Sequence, residues 1–234
     1  MTPPTDIIIP VHGNREFPVE DVFQDCVRTV SNHTHNFRYI FVADACDDIC
    51  LQVIHRVANA FPESNLIQTQ RQHWFTRAVN LGLRLVRTPY AVVLNCDTVV
   101  DTGWLEELYA IKDEVEATVG RVGLVGSQES QEEPRRYQVS EGQDYVTGHC
   151  WLLNMAAVQE ASHMHGTPGW YLDETRADAI HIRSDVFICW ELNRLGWQCV
   201  KSFKSHVGHY GYKSWGARLH AIPNNVEMVN PKWQ

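Results

Sequence analysis

The chain has no apolar run approaching the roughly 20 residues that a helix needs to cross a bilayer, so no transmembrane segment is expected. It also has no surplus of positive charge. Its 20 Lys and Arg are outnumbered by 28 Asp and Glu, for a formal charge of −8. A protein that grips nucleic acid along the backbone needs a basic stripe, so nucleic acid is not expected as a partner. A local phosphate site stays compatible with that balance. No Cys-x-x-Cys pair occurs. The seven cysteines (Cys26, Cys46, Cys50, Cys96, Cys150, Cys189 and Cys199) are odd in number and irregular in spacing. They read as reduced thiols of a cytoplasmic protein, not as a disulfide framework or a structural zinc site. The first residues lack the basic stretch that opens a secretory leader, in keeping with that location. Repeats, heptads and low-complexity stretches are missing as well. Peripheral contact with a membrane through an exposed Trp remains possible on composition.

What is present is a hydrophobic content of 44% in 234 residues, enough for one large core. Short apolar runs at 6–11, 38–43, 65–69 and 90–95 read as strands. Between them, 18–31, 49–61 and 74–86 show helical spacing, and 104–115 follows the fourth run. Four strand–helix alternations predict right-handed βαβ units, hence an α/β domain with a mostly parallel, twisted central sheet flanked by helices. The pattern then becomes irregular. Strands are expected at 122–127, 145–154 and 198–203, a helix at 185–195 closed by Gly196, a polar surface loop at 128–144 and an irregular, functional loop at 163–181. This reads as one domain of two halves. Residues 1–120 are nucleotide-like, and residues 121–234 hold a second substrate.

The most informative stretch is Tyr90 to Asp101, where an apolar run ends abruptly in Asn95-Cys96-Asp97. A strand apolar on both faces is usually buried in a parallel sheet, and open α/β sheets bind ligands at the C-terminal ends of such strands. Asp97 there could hold a hard cation that grips a diphosphate, or could simply cap the helix that begins near Gly103 and Trp104.

Several segments taken in order resemble inverting family 2 glycosyltransferases of the GT-A fold. Asp6 to His12 resembles the opening strand, and Phe41 to Asp48 is similar to the second strand with its Val-Asp-Asp-Gly-Ser-x-Asp pattern. Ala78-Val79-Asn80-Leu81-Gly82 matches the Ala-x-Asn-x-Gly helix. Asn95-Cys96-Asp97 resembles the Asp-x-Asp metal motif in the Asn-x-Asp form of rhamnosyltransferase-like members. Val146-Thr147-Gly148 resembles an acceptor-side strand, Ser184-Asp185 a Glu-Asp segment, and His206 to His209 a terminal His segment. The sequence departs from these patterns at Ala43, Ala45, Asn95, Ser184, Phe187 and Glu191.

The resemblance implies a role for each matching position. Asp185 would be the general base. Asp97 and His209, with His206 the competing choice, would hold Mn²⁺ or Mg²⁺. Pro10, Val11, His12, Asp44, Arg77, Asn95 and Cys96 would bind a UDP-, dTDP- or GDP-sugar. Gly148, Trp170 and Tyr171 would face an acceptor, whether a glycan, a lipid-linked saccharide or a small molecule. Trp190 at helical spacing reads as core, and Lys213 and Arg218 would close over the diphosphate. Two other functions compete. A nucleotidyltransferase would show a Gly-rich loop with a Lys after the first strand, where only Gly13 stands. A catalytically inactive nucleotide-sugar-binding module would be consistent with Asn95 and Ser184.

Overall fold

The computed structural model describes residues 2–16, 18–128, 133–141, 144–163, 171–174 and 184–210. Its elements are β1 (Thr5–Val11), α1 (Glu20–His33), β2 (Phe37–Asp44), α2 (Asp48–Asn59), β3 (Asn65–Thr69), α3 (Trp74–Leu83), β4 (Tyr90–Leu94), β5 (Thr98–Val100), α4 (Trp104–Thr118), β6 (Val122–Ser127), β7 (Tyr137–Ser140), β8 (Cys150–Asn154), α5 (Met155–Ser162), α6 (Ser184–Arg194), β9 (Gln198–Ser202) and β10 (Val207–His209). Eight strands form one sheet in the order β3-β2-β1-β4-β8-β6-β9-β7, while β5 and β10 form a separate two-stranded ladder. β3, β2, β1 and β4 are mutually parallel, and β6 and β9 run with them. β8 opposes both β4 and β6, and the edge strand β7 opposes β9. The mostly parallel α/β domain expected from the alternation is therefore the observed one.

Strand alternation sorts the core onto the two faces of this sheet. Ile7, Ile9 and Val11 of β1 point into one layer with Val92 and Leu94 of β4, where α1, α2 and α4 contribute Phe23, Ile54 and Trp104. Ile8, Val93 and Leu153 point into the other, with Val79 of α3, Ala157 of α5 and Leu192 of α6. Local chemistry sets the helix ends. Asp47 caps α2 by accepting from the Cys50 amide at 3.0 Å, and Asn154 caps α5 through the Ala156 amide. Gly196, at φ 79°, follows the last turn of α6, and the Trp197 amide closes back on the Leu192 carbonyl.

The second half departs from the sequence reading in instructive places. The polar segment expected as a loop at 128–144 contains β7. That strand is held by its ladder to β9 and by Arg136, which reaches Glu107 and Glu114, and not by an apolar pattern. β8 starts at Cys150, later than the expected strand. β5, α5 and β10 are too short to carry a periodic signal. Trp190 is 41% exposed with the Arg194 guanidinium 4.6 Å over its ring, so it is not a core residue. The expected loop at 163–181 lies largely outside the described residues, as do Trp170, Lys213 and Arg218.

The Ala78–Gly82 motif has a folding explanation. Asn80 is fully buried. Its side-chain amide donates to the Leu172 carbonyl and Glu174 Oε1 and accepts from the Leu172 amide, each at 2.8 Å, clasping residues 172–174 to α3. Gly82 lets α3 press on β1, since a Cβ there would sit 2.5 Å from Ile8 Cγ2. Gly82→Ala should therefore destabilise the fold by about 1–3 kcal/mol through overpacking, read from urea unfolding. Ala45 occupies φ 51° where the second-strand motif usually has Gly. Left-handed backbone costs a residue with a Cβ roughly 1–2 kcal/mol. Ala45→Gly should raise the unfolding midpoint, with a net gain of about 0.5–1 kcal/mol once glycine's extra chain entropy is deducted. An unchanged midpoint would show the strain already relaxed.

Candidate active site

The order of the first four strands reverses at β1, which has β2 on one side and β4 on the other. Open α/β sheets leave a crevice at such a switch point, beyond the C-terminal strand ends. A cleft of about 520 Å³, counting its open mouth, lies there. Pro10, Val11 and His12 at the end of β1 line it, with Asp44 at the end of β2 and Asn95, Cys96 and Asp97 at the end of β4. Gln72, Trp74, Phe75 and Ala78 supply the remaining wall from the start of α3. Six of the seven residues expected on the donor side thus border one cavity. Arg77 does not line it, and its guanidinium is paired with Glu174 Oε2 at 3.2 Å.

Asp97 is 1% exposed at the junction of β4 and β5. The β5–β10 ladder opposes His209 to Thr98, and the Tyr210 amide donates to the Asp97 carbonyl at 2.9 Å. This pairing brings His209 Nε2 to 3.1 Å from Asp97 Oδ1 and 3.4 Å from Asn95 Nδ2. His206 precedes β10 at φ 56°, and its carbonyl accepts from the Asp101 amide, so His209 is the histidine whose ring meets the aspartate. No set of three or more His, Cys, Asp or Glu that could enclose a metal occurs among the described residues. The Asp97 carboxylate oxygens are donors of the kind a hard cation takes, with the His209 imidazole as a second, softer donor beside them.

His149 stacks on His209, with ring centroids 4.8 Å apart and planes 11° from parallel. Burial, then the neighbouring His209, push its pKa down to about 4, against the opposing pull of Asp97, so it is neutral near pH 7. The residue before it, Gly148, lies beside Asp185, since a Cβ there would sit 3.7 Å from Asp185 Cβ. The Asp185 carboxylate accepts from the Val186 amide at 2.9 Å, and the nearby Gly148 backbone also favours its ionised form. Burial outweighs these bonds and pushes the Asp185 pKa up to about 6. Asp185 sits in the first turn of α6, and neither it nor Gly148, His149 or His209 is among the residues that line the cleft. Tyr171 packs against the apolar layer that α3 and α6 share.

Asp44 is 2% exposed, and its carboxylate serves the turn that leads into α3. It accepts from the Thr69 hydroxyl at 2.8 Å, the His73 amide at 2.8 Å and the Trp74 amide at 3.0 Å. Trp74 has φ 63°, a genuine outlier for a bulky side chain. Sequence reasoning missed His149, Trp74, Gln72 and Phe75 as site residues. His149 directly follows Gly148, one residue beyond the matched segment, and Trp74 precedes the matched helix. Proximity to a motif was the only signal available for either.

A comparison with curated protein sequences found no match. Among solved structures, the chain is similar to a mannosyltransferase from Pyrobaculum calidifontis in complex with GDP-Man and Mn²⁺, with a TM-score of 0.62 and 13% identity over 86% of this chain and 55% of that one. It is also similar to S. aureus TarS 1–349, with a TM-score of 0.61 and 10% identity over 86% of this chain and 58% of that one. The chain therefore spans a little over half the length of these structures. The family model for glycosyl transferase family 2 matches residues 6–164, which carry the donor-side cleft, Asn80, Asp97 and the Gly148–His149 turn. On that match, the chain belongs to glycosyl transferase family 2.

Proposed function

We propose that this chain transfers a sugar from a UDP-, dTDP- or GDP-sugar to an acceptor hydroxyl with inversion at the anomeric carbon, with Mn²⁺ or Mg²⁺ on the donor diphosphate. The observation that carries this reading is a crevice at the strand ends that presents a buried carboxylate against an imidazole, with a second, largely buried carboxylate at the start of α6. Asp97 lies against an imidazole at the end of β4, and Asp185 is desolvated beyond the Gly148–His149 turn. The mannosyltransferase with GDP-Man and Mn²⁺ supports both the donor class and the cation.

In this reading Pro10, Val11, His12, Asn95 and Cys96 border the nucleotide, and Asp97 with His209 would hold the cation. The cation, when bound, supplies Lewis-acid neutralisation of the departing diphosphate. The Asp185 carboxylate accepts the proton of the acceptor hydroxyl. That oxygen forms its bond to the anomeric carbon as the bond from that carbon to the diphosphate oxygen breaks. A base with a pKa near 6 is largely ionised at neutral pH yet basic enough to take a proton as the new bond forms. Gly148 and the second half would receive a glycan, lipid-linked or small-molecule acceptor. The seven free thiols favour a reducing, cytoplasmic setting. No described helix is long and apolar enough to cross a membrane.

Asp185→Asn should lower transfer by roughly 10²–10⁴-fold while leaving nucleotide affinity within about twofold, since a base acts on the transition state. For the wild type, kcat/KM should fall about tenfold per pH unit below about 6, as Asp185 protonates. The sign of the stability effect is opposite to that of an ion-paired carboxylate. A folded pKa above the unfolded value makes a contribution that is present below about 4 and lost as pH rises through about 6. Asp185→Asn should therefore melt at or above the wild-type temperature at pH 7.5. A variant that transfers at wild-type rate places the base elsewhere, and one that melts lower shows that the ionised carboxylate is not disfavoured by burial.

Cation dependence has its own readout. Calorimetric titration with UDP, dTDP or GDP should show affinity at least tenfold weaker in EDTA than in Mn²⁺ for the wild type. Asp97→Asn should bind equally weakly in both, and His209→Ala should shift the Mn²⁺ requirement upward. Equal wild-type affinity with and without the cation would sink the metal assignment while leaving Asp185 untouched.

A further inference from the structure

Residues 44–47 join β2 to α2 and run along the end of β1, which lines the cleft. Three bonds fasten this joint. His12 Nδ1 donates to the Asp44 carbonyl, the Cys46 thiol donates to the Val11 carbonyl at 3.3 Å, and the Asp47 amide donates to the Gly13 carbonyl at 3.0 Å. A second sulfur presses on the same tripeptide, since a Cβ at Gly13 would sit 2.7 Å from Cys50 Sγ. One helical turn separates the two cysteines. Asp47 accepts from the Cys50 amide at 3.0 Å through its side chain and from the Leu51 amide at 2.9 Å through its carbonyl. Both sulfurs are thus held against residues 11–13. Their environments differ. Cys50 is 1% exposed, whereas Cys46 is half-buried and is the one cysteine of the seven that is not buried. The Cys50 thiol holds the Cys46 pKa below the ordinary thiol range, against burial, while Cys46 and burial push Cys50 up. An accessible sulfur that ionises beside a buried one that keeps its proton is the arrangement of a reactive thiol with a resolving partner.

We propose that Cys46 and Cys50 are a modification site that a hydroperoxide converts reversibly into a disulfide, and that closing this bond weakens nucleotide binding in the adjacent cleft. The effect on binding rests on the nucleotide-sugar reading of the cleft, and the disulfide itself does not. The Cys46 thiolate attacks one peroxide oxygen and the O–O bond breaks, the other oxygen leaving with a proton as water or an alcohol. The Cys50 sulfur then attacks the Cys46 sulfenic acid. The S–S bond forms, the S–O bond breaks, and the hydroxyl leaves as water with the Cys50 proton. The two sulfurs together lose two electrons, and the peroxide gains them. A dithiol reverses the step by exchange. A disulfide has no proton to donate, so the Val11 carbonyl loses its bond from Cys46. The joint must also shift as the sulfurs pass from contact to bonding distance. Ala45, at φ 51° within the joint, leaves it little slack, so Val11 and His12 move with it at the cleft wall.

Peroxide treatment of the full chain, then alkylation under denaturing conditions and peptide mapping by mass spectrometry, tests the pair. Cys46 and Cys50 should appear joined, lighter by two hydrogens, with the other five cysteines alkylated and the pair restored by dithiothreitol. In Cys50→Ala the reaction should stop at a sulfenic acid on Cys46, which dimedone traps. Calorimetric titration in Mn²⁺, with the tightest binder among UDP, dTDP and GDP, reads the effect on the cleft. The oxidised wild type should bind about 3–10-fold more weakly than the reduced one, the size of one lost hydrogen bond. Cys46→Ser, whose hydroxyl keeps a donor for Val11, should bind alike before and after peroxide. A map that leaves Cys46 unmodified, or oxidises it further with Cys50 still a free thiol, would overturn the pair. A disulfide that leaves affinity within twofold would overturn its effect on the cleft. A reduced wild type that binds none of the three nucleotides would overturn the nucleotide-sugar reading, while the map still decides the pair.

Discussion

The ladder on either side of β4 is the constraint on which the site depends. β4 is apolar on both faces and pairs with β1 in parallel and β8 antiparallel. Each pairing places residues of the candidate site. The β1 side aligns Pro10 to His12 with Asn95 to Asp97 across the cleft. On the β8 side the ladder runs one step past the strand end, with the Asn95 amide donating to the His149 carbonyl at 2.9 Å. That last bond sets the Gly148–His149 turn against the residues that precede Asp97. A slip of one residue in either pairing would send the side chains of β4 to the opposite faces. The two buried layers forbid this, since Val92 and Leu94 fill one and Ala91 and Val93 the other. Hydrophobic register in the core is in this sense what positions polar atoms at the rim.

The two carboxylates differ because their surroundings do. Asp97 lies deep, yet the β5–β10 ladder delivers an imidazole to it. Asp185 has backbone amides to accept from, and burial still wins, so its proton is held to a higher pH. His149 is neutral near pH 7, and its ring stacked on His209 adds contact area without adding charge beside Asp97.

Most of the first half was legible in the sequence because its elements are long and periodic. β3 and β6 fall on the residues expected, and α1 to α4 and β4 differ at their ends by a few positions. The elements that escaped were those whose stability comes from partners. β7 is an edge strand tied by Arg136, β10 is three residues paired to β5, and α5 is eight residues with an Asn cap. Ala78 to Gly82 matched a family pattern, and its residues turn out to be explained by packing. Asn80 clasps 172–174 and Gly82 admits Ile8. Matching a motif located these residues without revealing what they do. Trp190 misled in the other direction, because helical spacing gives a period without saying which face is wet.

Strain completes the picture. Among the described residues, four other than Gly have positive φ: Asn36, Ala45, Trp74 and His206. Asn36 precedes β2 at the opposite edge of the sheet, where its carbonyl takes the Thr5 amide, and Asn tolerates that backbone. Of the other three, Trp74 lines the cleft, and Ala45 and His206 are close in sequence to Asp44 and His209. Ala45 follows β2, Trp74 opens α3 and His206 leads into β10. At about 1–2 kcal/mol each they are a sizeable fraction of a marginal stability. Such backbone persists only where surrounding bonds over-determine it. Here those bonds can be named: the Ala45 amide to Thr69, the Asp44 carboxylate to Trp74, and the Asp101 amide to the His206 carbonyl. Two of these turns stand beside residues that line the cleft, Asp44 and Trp74, and the third leads to His209, which meets Asp97. Local propensity is overruled at these turns, and the relaxed remainder of the fold supplies the stability that permits it.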